Sequence, residues 1–147
     1  TTMTNAEDPL LLDIQLCFAL YSASLQMTKL YKPLLNEISL TYPQYVTMLS
    51  LWETDGVTVG ALGKRLFLDS GTLTPLLKRL EAASLVTRTR NAKDERQVMI
   101  RLTLKGRALK QKAACIPQQV GARGGLSISE FLTLRKTLKK LRAALAA

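Results

Sequence analysis

The chain has 147 residues, 47% of them hydrophobic, enough for one compact domain with a core and too few for two. It contains no histidine, which excludes Ser-His-Asp and Cys-His nucleophile systems, imidazole metal ligands and histidine general bases, so neither an enzyme nor a metal or cofactor is expected. Net charge is +10, and thirteen Lys or Arg stand against four Asp or Glu between residues 64 and 112, so nine of the ten net charges fall in that third of the chain, the footprint of a polyanionic partner.

From Leu10 to Leu30 the apolar positions Leu12, Leu16, Leu20, Ala23 and Met27 recur at spacings of three and four, which predicts a long amphipathic helix that Pro33 ends or kinks. A second helix follows Pro43, with Tyr45, Met48, Leu49 and Trp52 on one side, and stops at Asp55-Gly56. Thr58 caps a short helix carrying Leu62 and Leu66 inward, and a tight connection at Phe67-Leu68-Asp69 follows. The next segment, Ser70 to Leu80, places Leu73, Leu76, Leu77 and Leu80 at helical spacing. Its polar residues lie outside that stripe, and Pro75 leaves two starts open, one at Ser70 with Gly71 making room and one with Thr74 as cap. Two short helices joined by a brief turn, the second basic outside, describe a helix-turn-helix.

After Ser84 the period changes. Leu85–Arg90 and Arg96–Leu102 alternate around a polar turn, Asn91 to Glu95, a β-hairpin in the position of a wing. A helix capped by Thr103 runs to Ala114, Pro117–Gly125 reads as a breaker-rich connection, and Ser127 caps a last helix through Leu132, Leu134, Leu138, Leu141 and Leu145. The fold class is therefore mainly α (α+β), one winged helix-turn-helix domain over 1–147. Its reading head spans 43–103 with the hairpin at about 85–102, and dimerisation helices at 10–40 and 127–147 bury their apolar faces on a second copy. No run approaches the roughly 18 to 20 apolar residues of a membrane span, and the acidic start at Glu7 and Asp8 is unlike a secretory signal. The expectation is a cytoplasmic protein with no membrane partner.

Reading DNA requires cations for phosphates and short polar groups on an element that fits the major groove. Ser70, Thr72 and Thr74 suit the second task, and Lys78 and Arg79 the first; Arg88 joins them from the hairpin. At the hairpin tip Lys93 and Arg96 are placed to enter a minor groove, with Asp94 orienting Arg96 through a charge-assisted hydrogen bond.

The two cysteines, Cys17 and Cys115, lie too far apart in sequence for a disulfide framework or a closely spaced zinc pair. Cys17 and Tyr21 share a helix face, and Tyr31 returns nearly to it; tyrosine hydroxyls can donate to a thiolate without help from a basic residue. The segments Gln15–Tyr21, Met27–Leu35, Thr41–Tyr45, Leu68–Leu80 and Asp94-Glu95-Arg96 closely resemble the organic hydroperoxide resistance regulators of the MarR family. The resemblance implies a homodimeric repressor of a palindromic operator, with Cys17 as the peroxide-sensing thiolate, Tyr21, Tyr31 and Tyr42 as the tyrosines around it, some from across the dimer, and organic hydroperoxides as inducer. Cys115, immediately before Ile116-Pro117, is left with two readings, a resolving thiol for oxidised Cys17 or an inert one. Two other functions stay open at this point: a MarR-type repressor released by a small aromatic ligand, and a thiol peroxidase.

Overall fold

In the computed structural model, which describes residues 8–147, the chain divides into one unit ending at Ala114 and a second spanning Cys115–Ala147. Glu7 of the acidic start lies outside the described residues. The first unit runs through a 3-10 turn, Leu12–Ile14, then α1 (Leu16–Asn36), α2 (Tyr42–Glu53), β1 (Val57–Thr58), α3 (Val59–Leu66), α4 (Ser70–Ala82), β2 (Val86–Arg90), β3 (Val98–Leu102) and α5 (Leu104–Ala113). The second holds α6 (Ile116–Arg123) and α7 (Ile128–Ala146). This is a winged helix-turn-helix, mostly helical with a small antiparallel sheet.

Capping fixes where the helices begin. Thr41 and Gln44 close a capping box on α2, Thr58 accepts from the Ala61 N–H at 3.0 Å, Asp69 from Thr72 at 2.7 Å, and Thr103 from Gly106 at 3.0 Å. Ser127 and Glu130 form a second box at the start of α7. With Asp69 as cap, α4 starts at Ser70 and carries Pro75 inside it, which decides between the two starts open in the sequence. The proline lacks the N–H that would meet the Gly71 carbonyl, and that stretch faces solvent.

Met48 and Leu51 of α2, Leu62 of α3, Leu73, Leu77 and Leu80 of α4, and Val86 and Ile100 of the sheet form the core of the first unit. The strands lie in the order β1-β3-β2, with Val86 opposite Leu102, Arg90 opposite Val98, and Val57 opposite Ile100. At the root of the hairpin, the Thr103 hydroxyl donates to the Ser84 carbonyl at 2.6 Å. Gly106 lies so close to the Leu85 carbonyl that a Cβ there would collide with it.

Several sequence expectations are corrected. The first helix starts at Leu16 rather than Leu10, because Gln15 is extended and its side-chain amide bonds back to the carbonyls of Pro9 and Leu11. Leu12 is therefore outside it. Pro33 does not end α1, which continues to Asn36; the only bond lost is to the Lys29 carbonyl on an exposed side. Leu49 is exposed, and Leu51 takes its place in the core. The hairpin's second strand begins at Val98 rather than Arg96, because residues 94–97 are held in the turn. The supposed connection after Pro117 is the helix α6, since a proline in the first turn costs no hydrogen bond. The two-residue β1 was too short to show a period.

Removing the Thr103 hydroxyl takes away both a helix cap and the bond to Ser84, so Thr103→Ala is expected to lower stability by about 1–2 kcal/mol in urea unfolding. Gly106→Ala should cost more, because its methyl has no space beside Leu85.

Candidate DNA-reading surface and cysteine site

The amino-terminal half of α4 is presented by its buried leucine stripe and by the Asp69 cap. Ser70, Thr72, Lys78 and Arg79 are exposed, and Thr74 is half-buried. The Thr72 backbone N–H, and after it the Thr72 hydroxyl, hold the Asp69 carboxyl below the usual carboxylate range. The element expected to enter a groove thus starts from a fixed, negatively capped turn.

At the hairpin tip the Arg96 guanidinium is 91% exposed and donates to Asp94 through Nε at 3.1 Å and Nη2 at 3.4 Å. The Asp94 carboxylate also accepts from the Arg96 backbone N–H and is held below its usual range by these bonds, the Arg96 side chain foremost. Lys93 is exposed beside it. Arg88 lines one cleft with Thr74 and Arg96, and its side chain is 27% exposed and paired with Glu81 of α4 at 3.2 Å.

Cys17 is exposed near the start of α1, one turn before the exposed Tyr21. Tyr31 lies about 21 Å further along the axis of the same helix, at 1.5 Å per residue. There it meets Tyr42 and Tyr45, with ring centroids 5.0 and 5.8 Å away. Burial, then the neighbouring phenols of Tyr42 and Tyr45, push Tyr31 up from 10.0 to about 12, and burial raises Tyr45 as well. The structure therefore brings Tyr31 and Tyr42 together but not to the Cys17 of their own chain. Cys115 is exposed at the N-cap position of α6, and the two cysteines are not joined in a disulfide.

Residues 29–113 match the family described as transcriptional regulator SarA/Rot. The chain is 50% identical over 143 residues to the organic hydroperoxide resistance transcriptional regulator of Bacillus subtilis, covering 97% of this chain and 92% of that one. It is 51% identical over 146 residues to the HTH-type transcriptional regulator TtmR of Methylorubrum extorquens, covering 99% and 75%. The chain belongs to the MarR-type winged-helix transcriptional regulators, the family of the organic hydroperoxide resistance regulators. Among solved structures it is similar to AbfR of Staphylococcus epidermidis, in a form described as reduced and bound to DNA, with a TM-score of 0.77, 33% identity and 90% of both chains covered. A disulfide form of AbfR matches with a TM-score of 0.64 and 32% identity, covering 99% of this chain and 95% of that one. These relatives are transcriptional regulators, and so is this chain, rather than an enzyme. No helix among the described residues is long and apolar enough to cross a membrane.

Three features of this MarR-type regulator escaped the sequence reading. The wing tip is clasped by Asn91, whose side-chain amide donates to Gln97 Oε1 at 2.9 Å and whose backbone N–H donates to the Gln97 carbonyl at 2.8 Å. Arg90 is pinned by a bond to the Glu95 carbonyl at 2.8 Å. Tyr45, read only as a core residue, is the buried member of the tyrosine triangle. Polar residues flanking a turn signal a hairpin but not which of them clasp, and a tyrosine triangle made across two helices leaves no spacing pattern.

Because the Tyr31 phenol stays protonated in the folded chain while its unfolded counterpart ionises near 10, the folded state holds the extra proton between pH 10 and about 12. Its contribution to stability is intact below that window and is lost as pH rises through it. Phenolate absorbance should show one tyrosine titrating last, near 12, and Tyr42→Phe should bring that step to lower pH.

Proposed function

We propose that this MarR-type regulator is a homodimeric, cytoplasmic repressor that binds a palindromic double-stranded operator and releases it when an organic hydroperoxide oxidises Cys17. The observation that carries the reading is α1 itself. In 21 residues it buries only Leu35, and in the half that carries Cys17 it exposes Leu16, Phe18, Tyr21, Leu25 and Met27. These side chains are each about half exposed, so leaving them in water forgoes on the order of 5 kcal/mol, half of the roughly 1.5–3 kcal/mol for full burial of each. That compares with the lower end of a domain's net stability, about 5–15 kcal/mol, so a second copy is the natural cover. In the second unit α7 likewise buries none of its residues and exposes Leu132, Leu134, Leu138 and Leu145.

A dimer also answers the distance problem along α1. Tyr31 and Tyr42 reach a Cys17 only if the partner's first helix runs past their end of the molecule. Their phenol hydroxyls then act as donors to the thiolate. The thiolate attacks the outer oxygen of the hydroperoxide, the O–O bond breaks, sulfur is oxidised to a sulfenic acid, and the alkoxide leaves as an alcohol after taking up a proton. The sulfenic acid then condenses with a thiol, either Cys115 or a small thiol, releasing water. Since the oxidised sulfur lies in the helix that covers the dimer seam, its chemistry alters the spacing of two reading heads that must match half-sites about one helical turn, roughly 34 Å, apart. AbfR, known both reduced on DNA and in a disulfide form, supports a switch of this kind.

On DNA, α4 enters the major groove with Ser70, Thr72 and Thr74 towards base edges and Lys78 and Arg79 towards phosphates. Lys93 and the Asp94-oriented Arg96 place the wing in the adjoining minor groove. Arg88 contributes by holding the hairpin against α4 through Glu81.

Reduced protein is expected to bind a palindromic duplex with an affinity that falls steeply with salt, to lose it on addition of cumene hydroperoxide, and to regain it with dithiothreitol. Cys17→Ser should bind as well as wild type and ignore peroxide. Release of DNA by that variant on peroxide would reject the reading. Release by an aromatic ligand that reductant does not reverse would mark a non-covalent sensor, and steady turnover of peroxide with a thiol donor a thiol peroxidase. Intact mass after oxidation separates a Cys17–Cys115 crosslink from a sulfenic acid or a mixed disulfide.

A further inference from the structure

We infer that Asp55 is the positioning residue of the wing, an inference that rests on the DNA-binding reading above. Asp55 lies just past the carboxyl end of α2, with its side chain 35% exposed. Its Oδ1 accepts two backbone N–H bonds at 2.8 Å, one from its neighbour Gly56 and one from Leu102, 47 residues away at the end of β3. Its Oδ2 lies 3.7 Å from the Arg107 guanidinium of α5. One carboxylate thus ties the end of α2 to the last residue of the wing and to the helix that follows.

The reason a side chain is needed there is the length of β1. That strand pairs with β3 only at Val57 with Ile100 and Thr58 with Met99, because Gly56, at φ +70, turns the chain away before it reaches Leu102. The outer edge of β3 at Leu102 therefore has no backbone acceptor from β1, and the Asp55 carboxylate takes that place in the ladder. The inner edge is held separately, by Leu102 opposite Val86 and by the Thr103 backbone N–H bonded to the Leu85 carbonyl at 3.1 Å.

The root governs the tip through length. From Leu102 to Val98 the strand is roughly 13 Å long at about 3.3 Å per residue, and Arg96 lies beyond it, so a tilt of about 5° at the root displaces the tip by more than ~1 Å. A displacement of that size takes a hydrogen bond outside its working range of about 2.7–3.2 Å. The wing tip is clasped by its own bonds, so its aim depends on how the root is held. Asp55 touches no DNA; it acts through Arg96.

The test uses the full-length reduced protein and a short palindromic duplex that wild type selects from a randomised pool. Binding is measured against salt for Asp55→Ala, Asp55→Asn, Arg96→Ala and the double variant Asp55→Ala with Arg96→Ala. Asparagine keeps an oxygen acceptor for the Leu102 N–H, and alanine does not. Asp55→Ala is expected to bind about tenfold more weakly with a shallower salt slope, as for the loss of one oriented wing contact. Asp55→Asn should stay within about twofold of wild type, and the double variant should be no weaker than Arg96→Ala alone. Losses that add in full, or an Asp55→Asn variant as weak as Asp55→Ala, would overturn the assignment. If Asp55→Ala does not fold, amide exchange decides on Asp55→Asn: a protected Leu102 N–H with wild-type affinity supports it, and an unprotected one with wild-type affinity sinks it. A wild-type protein that selects no duplex would refute the DNA-binding reading instead, before any variant is compared.

Discussion

The leucine stripe of α4 is the constraint on which the rest of the structure depends. Leu73, Leu77 and Leu80 are fully buried, and they pack where α2, α3 and the sheet meet. Because the inward side of α4 is fixed by four apolar residues at helical spacing, its outward side is fixed too, and the Asp69 cap sets where the helix begins. The same stripe supports the base of the hairpin through Val86 and Ile100. An outward-facing helix and an anchored hairpin are two consequences of one packing arrangement.

A second constraint is what the first unit leaves uncovered. The helix α1 is held by its own chain only toward its carboxyl end, at Tyr31 and Leu35, and the apolar residues that would gain from burial lie on the half that carries Cys17. In the switch proposed above, the sulfur that is oxidised lies in that face, so its chemistry becomes a matter of helix packing. A modified side chain in a close-packed seam displaces its neighbours instead of being absorbed, because packed interfaces rearrange between discrete states. The tyrosines Tyr31, Tyr42 and Tyr45, at the far end of α1, are built as one aromatic cluster, in which burial raises Tyr31 and Tyr45 above the ordinary phenol range.

Charge acts on a third level. The positive excess between residues 64 and 112 is spread over the end of α3, α4, the wing and α5, but individual cations differ in what they are free to do. Arg96 is exposed and oriented by Asp94, whereas Arg88 is turned inward to Glu81. Net charge supplies attraction to a polyanion at a distance, and these local ion pairs decide which guanidinium arrives in a fixed geometry.

The sequence by itself determined the helix-turn-helix, its leucine stripe, most of the caps, the hairpin and the segregation of positive charge, because each is written in local spacing or in a single residue's hydrogen-bonding capacity. It also singled out Cys17 and Tyr21, one turn apart on a helix. Only the tertiary structure decided that α1 continues through Pro33, since the cost of a proline inside a helix depends on whether the orphaned carbonyl meets water, and that Pro117 stands in the first turn of a helix, where no bond is lost, and not in a connection. It alone joined Tyr45 to Tyr31 and Tyr42, turned Arg88 towards Glu81, and brought Asp55 to the N–H of a residue 47 positions away. Those are meetings between distant segments, and a side chain's partner across such a gap is fixed by the packing of the whole core, which no local period records.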